Sequence, residues 1–428
     1  MDFLEELRWR GLIHQVTDME VAKAALAEAG CAVYIGFDPT ADSLHVGSLL
    51  QLTLLARLAR AGHRPIALIG GGTGMIGDPS GKSAERRLQS PAELRANAAA
   101  IRDQILAIWQ HLAVTDAGVL PLEVVDNALW LEQLHVIAFL RDVGKHFSVN
   151  AMVQRDSVRS RLEAREQGLS YTEFSYMLLQ AYDFLELYRR HACRAQMGGS
   201  DQWGNIVSGT DLIGRLEASA ATAPAFGITV PLITSRSGQK FGKTEEGTIW
   251  LDRRRTSPYQ FYQFWMNVED ADAEQYLKFF TFLSAADLSK AGQAGEHPRQ
   301  AQGLLASELT ALVHGPAARD AVLHAATLLF GGGEPTLAPL ATFAEVLAEE
   351  IPTAAAPPEA TILALLVGEN RPFPSNGEAK RALQAGSVAL NGRKVALAEM
   401  HAAPGRLHDR YVLIRHGKKS YFLADFGA

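Results

Sequence analysis

Three short apolar runs, "CAVYIGF" (31–37), "RPIALIG" (64–70) and "LEVVD" (122–126), are separated by stretches whose apolar residues recur at helical spacing. Strands that read as unbroken apolar runs are buried on both faces, and parallel strands need a crossover of about a dozen residues or more, usually a helix. The alternation predicts an α/β fold, a Rossmann-like parallel sheet with helices on both faces. Ligands in such sheets bind beyond the carboxyl ends of the strands, so the segments following these runs are where chemistry is expected.

Helix signals agree with that layout. "TDMEVAKAALAEAG" has Thr17 and Glu20 in capping-box spacing and Gly30 as a stop. "HVGSLLQLTLLARLARAG" ends at Gly62, and "SPAELRANAAAIRDQILAIWQHL" opens with Ser90 as cap, Pro91 in the first turn and Glu93 three residues beyond the cap. "QLHVIAFLRDV" and "RAQMGG" continue the alternation. From "TSPYQFYQFW" to about Glu350 the chain is helical and aromatic-rich without a strand signal. "IPTAAAPPEA" has the composition of a linker. Beyond it come a short basic helix and a tight Asn391-Gly392 turn between apolar runs.

A chain of 428 residues is too long for one core. Four segments are expected: 1–250, 251–350, a linker at 351–366, and 367–428. The last holds ten Lys or Arg against five Asp or Glu, a net +5, against −11 on the remainder of a chain whose total is −6. A basic tail on an acidic body fits a nucleic-acid contact, because phosphate neutralisation supplies most non-specific affinity. The first residues lack the basic stretch and apolar core of a signal peptide, and no apolar run reaches a bilayer's span. No membrane contact and a cytoplasmic setting are expected. Cys31 and Cys193 form neither a paired nor a metal-ligand spacing.

Two glycine motifs tempt a nucleotide reading. "GTGMIG" places Gly72, Gly74 and Gly77 in dinucleotide-fingerprint spacing, which would make the chain an NAD-binding oxidoreductase. Yet "DPSG" follows where the fingerprint needs a helix, and no acidic ribose ligand is evident. "GDPSGKS" brings Gly77 one residue too near Gly81 and Lys82 for a phosphate loop. A glycine-rich turn that a polyphosphate can approach survives, with Lys82 and Arg86 beyond it. "DPTADSLHVGS" (38–48) sets Thr40 and His45 at the mouth of a helix, and "GQKFGKTEEG" carries Lys240 and Lys243 between glycines. Donors at the strand ends of one sheet suit nucleotidyl transfer, in which charge builds on a departing pyrophosphate.

"HVGS" and "KFGKT" resemble the HIGH and KMSKS signatures of class I aminoacyl-tRNA synthetases. With "YIGFDPTADSLHVG", "GDPSGKSAER", "FSYMLLQAYDF" and "QMGGSDQWGN" in this order, the chain resembles the bacterial-type tyrosyl-tRNA synthetase family from about Leu4 to Phe422. Its departures are Ser48 for the second histidine, and Phe241 and Gly242 inside the lysine loop. The resemblance implies a Rossmann-like catalytic domain at 1–250, an α-helical tRNA-binding domain at 251–350 and, past the linker, a small α+β S4-like RNA-binding domain.

It also implies residue roles. Thr40, His45, Lys82, Arg86, Lys240 and Lys243 are the catalytic donors. Asp38, Gly47 and Asp201 join Thr40, His45 and Lys243 around ATP, with Asp201 on the ribose. In "YMLLQAYD", Tyr176, Gln180 and Asp183 share one helix stripe, which faces either solvent or a polar cavity. By resemblance Tyr176, Gln180 and Asp78 hold the substrate ammonium, Gln202 lies near the carboxylate, and Tyr34 and Asp183 bond the phenolic hydroxyl. Such a pair rejects phenylalanine by leaving buried polar groups unpaired, a discrimination for which this family is the standard example. The implied partners are L-tyrosine, ATP with its Mg²⁺, tRNA(Tyr) and a second subunit in a homodimer, with no protein-caged metal. A synthetase for tryptophan is the nearest alternative.

Overall fold

The computed structural model describes residues 2–78, 89–115, 118–155, 158–159, 162, 169–217, 223–233, 241–244, 247–293, 299–331, 334–417 and 420–427. The chain divides into two compact units, Met1–Arg255 with Val268–Leu305, and Thr256–Asn267 with Ala306–Ala428.

The first unit is built on β1 (Gln15–Val16), β2 (Ala32–Phe37), β3 (Arg64–Ile69), β4 (Glu123–Asp126), β5 (Cys193–Gly199) and β6 (Phe226–Val230). They form one sheet in the order β1-β6-β5-β2-β3-β4, parallel except for β1 at the edge. The expected parallel α/β core is present. β1 is only two residues long, and neither it nor the apolar "FGITV" of β6 stood out in the sequence.

Helices α1 (Phe3–Arg10), α2 (Met19–Leu26), α3 (Val46–Arg60), α4 (Pro91–Thr115), α5 (Val136–Asp142), α6 (Tyr171–His191) and α7 (Trp203–Leu216) accompany the sheet. α3 buries Val46, Leu49, Leu50, Leu54, Leu55 and Leu58, and the chain leaves it through Gly62 at φ +84°. The cap of α4 is reciprocal: Glu93 N donates to Ser90 Oγ at 3.3 Å and Ser90 N to Glu93 Oε2 at 3.0 Å. The cap of α2 falls one residue later than expected. Asp18 accepts from Glu20 N and Val21 N, while Thr17 Oγ1 accepts from Gly227 N at 2.9 Å and so serves the sheet edge.

Past β3 there is a single 3₁₀ turn, Thr73–Met75, and the next described helix begins only at Pro91. Among the described residues no helix packs against the third glycine of "GTGMIG", which adds to the weight against a dinucleotide site.

The helical stretch expected over 251–350 is shared between the two units. α8 (Pro258–Met266) lies in the second unit and α9 (Asp270–Phe280) in the first. Arg57 on α3 ties α9 into the first unit: its fully buried guanidinium donates to the carbonyls of Phe279 and Thr281 and to Glu6 Oε1 at 2.6 Å. Burial, then neighbouring Arg10, pulls its pKa down to about 9.

In the second unit α10 (Pro316–Ala326) packs near α8. Strands β9 (Thr353–Ala355), β10 (Val388–Leu390), β11 (Arg393–Lys394), β12 (Tyr411–His416) and β13 (Ser420–Asp425) form a second sheet, ordered β11-β10-β12-β13-β9. The Asn391-Gly392 turn is tight as expected, with φ of +49° and +84° and Leu390 opposite Arg393.

The segment 351–366 differs from the expected linker. β9 pairs in parallel with β13, and α11 (Ile362–Leu366) sinks Ile362, Leu365 and Leu366 into the core of this sheet. Its Ala and Pro content hid an edge strand that a partner seventy residues later stabilises, as strand pairing here is non-local.

Candidate active site

β2 lies between β5 and β3, at the point where strand order reverses, and a cavity of about 210 Å³ opens there. β2 supplies Tyr34 and, just past its end, Asp38. The segment after β3 supplies Thr73 and Asp78, and the residue after β4 is Asn127. The α6 stripe of Tyr176, Gln180 and Asp183 lines the cavity rather than facing water, and β5 adds Gln196. Asp201 and Gln202 come from the 3₁₀ turn Ser200–Gln202 that follows β5.

At the buried end, Asp183 accepts hydrogen bonds from Trp130 Nε1 at 2.8 Å and Asn127 Nδ2 at 2.9 Å. Asn127 is itself fixed, since its Oδ1 accepts from Gly72 N at 2.7 Å. Burial pushes the Asp183 carboxyl up to about 8, against the pull of those two donors. The Tyr34 phenol is pushed well above its ordinary range by burial and then by Asp183. Among the described residues, three buried polar atoms of this cavity have no protein partner: Tyr34 Oη, Gln180 Oε1 and Gln196 Oε1. Each costs about 1–3 kcal/mol if left unsatisfied, so the cavity is made for a guest with matching polar groups.

Toward the opening, Tyr176 Oη and Thr73 Oγ1 each lie 3.4 Å from a carboxylate oxygen of Asp38. Gln202 Nε2 donates to Asp78 Oδ2 at 2.7 Å, and Gln180 Nε2 to Gln202 Oε1 at 3.3 Å. Burial and then Asp78 raise the pKa of Asp201. Three carboxyls on one rim accept hydrogen bonds; they suit an ammonium and sugar hydroxyls and repel phosphate. Gly70 is required here, because a Cβ would sit 2.4 Å from Asp38 Oδ1.

Asp183 makes stability depend on pH in a defined direction. Its folded pKa of about 8 exceeds its ordinary 3.8, so the folded state holds a proton that the unfolded state releases. That contribution is complete below 3.8 and is lost as pH rises through about 8. Denaturant melts between pH 5 and 8 should show a destabilising slope that Asp183→Asn removes; an unchanged slope contradicts this.

The described phosphate-side candidates, Thr40 and His45, do not line the cavity. His45 is the exposed N-cap of α3, and its Nδ1 accepts from Gly47 N at 2.9 Å. A neutral ring in that pose carries its proton on Nε2, beside a helix N-terminus that favours anions. A Cβ at position 47 would meet His45 Cε1 at 2.6 Å and push the ring out of this pose. Thr40 is exposed, with its amide on Asp38 O at 2.8 Å.

The lysine loop is tied to the same place through backbone. β7 (Lys243–Thr244) pairs with β8 (Gly247–Thr248), Ile249 N donates to Gly242 O, and Val46 N donates to Ile249 O at 3.1 Å. Phe241 stacks on Phe280 and meets Tyr276 edge-on, both on α9, while Gly242 takes φ +79° against Val46. The two departures inside the lysine motif therefore fit their surroundings. Lys82, Arg86 and Lys240 lie outside the described residues, as does the side chain of Lys243.

Asn127, Trp130, Thr73 and Gln196 were not singled out in the sequence. Gln196 left a trace, a lone amide in a strand that after Arg194 is otherwise small or apolar; Asn127 left none, because its side-chain partners are more than fifty residues away. Among the described residues no three His, Cys, Asp or Glu side chains gather to hold a metal, and no helix is long and apolar enough to cross a membrane.

The chain is similar to known proteins along nearly all of its length. A family model described as "tRNA synthetases class I (W and Y)" matches residues 27–331, and one described as "Tyrosine--tRNA ligase SYY-like C-terminal domain" matches 343–424. A tyrosine–tRNA ligase of Porphyromonas gingivalis is 47% identical over 437 residues, covering 99% of each chain. One from Geobacillus kaustophilus is 45% identical over 429 residues, again covering 99% of each. Among solved structures, a C-terminally truncated mitochondrial tyrosyl-tRNA synthetase of Aspergillus nidulans superposes with a TM-score of 0.69 at 32% identity, covering 77% of this chain and 94% of that one. With identity this high over full length, and with both family models on their own segments, the chain belongs to the class I tRNA synthetases, in the tyrosine–tRNA ligase family.

Proposed function

We propose that this chain activates L-tyrosine with ATP to tyrosyl-adenylate and transfers the tyrosyl group to the 3′-terminal ribose of tRNA(Tyr). The carrying observation is the buried end of the cavity, where Tyr34 Oη, beside Asp183, has no partner among the described residues. A phenolic hydroxyl satisfies both groups; an indole or a phenyl ring satisfies neither as well. In this reading Asp78, Tyr176 and Gln180 take the ammonium, Gln202 lies by the carboxylate, and Asp38 and Asp201 face the nucleotide.

The tyrosine carboxylate attacks the α-phosphate, forming the acyl phosphate bond as the bond to pyrophosphate breaks. His45, with Thr40, Lys82, Arg86, Lys240 and Lys243, neutralises the departing charge, and Gly47 lets the nucleotide approach the α3 N-terminus. No protein nucleophile is needed, since orientation and charge stabilisation supply the rate. Mg²⁺ arrives on the ATP phosphates as part of the substrate. The basic 367–428 segment contacts tRNA in a cytoplasmic setting, where both nucleotide substrates are available. A second copy is the proposed cover for the apolar face of α5, where Val136 and Ile137 are 66% and 75% exposed and Leu140 is also in water.

Exchange of labelled pyrophosphate into ATP tests the first step. Tyrosine should support it, whereas phenylalanine and tryptophan at the same concentration should leave it at background. Exchange that does not depend on tyrosine would remove this reading.

A further inference from the structure

Nothing so far assigns a role to Trp250, Arg255 or Asp42, yet they form a continuous stack ending on His45. Trp250 and His45 face each other across a lone antiparallel bridge, flanked by Val46 N to Ile249 O at 3.1 Å and Leu251 N to Leu44 O at 2.8 Å. Their rings meet edge to face, 6.3 Å between centroids at 69°. On Trp250 the Arg255 guanidinium carbon lies 3.7 Å from the ring centroid, and Arg255 Nη1 donates to Asp42 Oδ1 at 2.6 Å. Asp42 returns the chain of contacts to the loop that carries His45.

We propose that Trp250, clamped by Arg255, is a positioning residue that holds the His45 imidazole in the orientation needed to meet the departing phosphate. The His45 imidazole is exposed and turns about two side-chain bonds, so its direction is set by its contacts, the Gly47 N–H bond among them. Gly47 leaves space on one side of the ring, with room for no Cβ, and Trp250 closes another. The cation over the indole fixes the indole in turn, an attraction that survives at partly exposed sites. The Arg255–Asp42 ion pair is mostly solvated and contributes little energy by itself; its part is to set where the guanidinium lies. Charge stabilisation is steeply sensitive to geometry, so a freed ring loses most of its benefit without altering the tyrosine cavity.

This inference rests on the reading that His45 acts in activation, and the experiment separates the two. Pyrophosphate exchange is measured on the full chain for Trp250→Ala, Trp250→Phe, Arg255→Ala, His45→Ala and the Trp250→Ala/His45→Ala double variant. Trp250→Ala should lower kcat by about tenfold, with KM for tyrosine unchanged. Trp250→Phe should restore kcat to within about twofold, because an aromatic edge is kept. Arg255→Ala, which hollows out no core, should cost about threefold. In the double variant, losing Trp250 should cost nothing beyond the loss of His45.

If Trp250→Ala is fully additive with His45→Ala, or acts by raising KM for tyrosine, the positioning proposal is overturned while the reading of His45 stands. If His45→Ala alone leaves kcat intact, that reading falls and the stack falls with it.

Discussion

Replacing His45 with alanine should slow tyrosyl-adenylate formation by about 10²–10³, the usual loss when one preorganised donor to a developing charge is removed. Tyrosine affinity should stay within about twofold, because binding and transition-state contacts are separable. The structure motivates the split. His45 is exposed at the α3 N-terminus and does not line the cavity that holds Tyr34 and Asp183. With Nδ1 accepting from Gly47 N, a neutral ring carries its N–H on Nε2. Single-turnover adenylate formation gives the rate, and equilibrium dialysis with tyrosine alone gives the affinity. A collapse of affinity with a normal rate would place His45 in the wrong half of the site.

Removing the C-terminal sheet should leave activation within about twofold of the full chain while tRNA charging, as kcat/KM, falls by about 10² or more, since phosphate contacts supply so large a share of nucleic-acid affinity. The cut belongs after Glu350 rather than before Val367. β9 at Thr353–Ala355 is an edge strand of that sheet, and α11 buries Ile362, Leu365 and Leu366 in its core. A shorter deletion would strand both and confuse misfolding with loss of contact. Tyr34, Asp78, Asp183, His45 and Asp201 all belong to the first unit, so the activation readout is insulated from the change. Undiminished charging by the truncated protein would remove the RNA-contact role from this segment.

Local signals carried far where the partner of a residue lies within a few positions. The Ser90–Glu93 box, the Gly62 stop and the Asn391-Gly392 turn all appear as expected, since each is decided by backbone geometry nearby. The Thr17 cap missed by one residue because Thr17 is drawn to Gly227, more than two hundred positions away. The "GTGMIG" spacing is a weak signal for a related reason. Three glycines set a turn, but only a following helix makes that turn a dinucleotide site, and the described residues after it hold one 3₁₀ turn before the helix at Pro91.

For the site, the sequence by itself determined which side chains share a stripe: Tyr176, Gln180 and Asp183 repeat at helical spacing whatever lies around them. Only the tertiary structure decided that this stripe faces a cavity and not water, that Asn127 and Trp130 hold Asp183, and that Trp250 lies against His45. The reason is physical. Helical periodicity and caps arise from bonds within a turn or two, whereas burial, pKa and ring contacts arise from groups that chain folding brings together from distant positions.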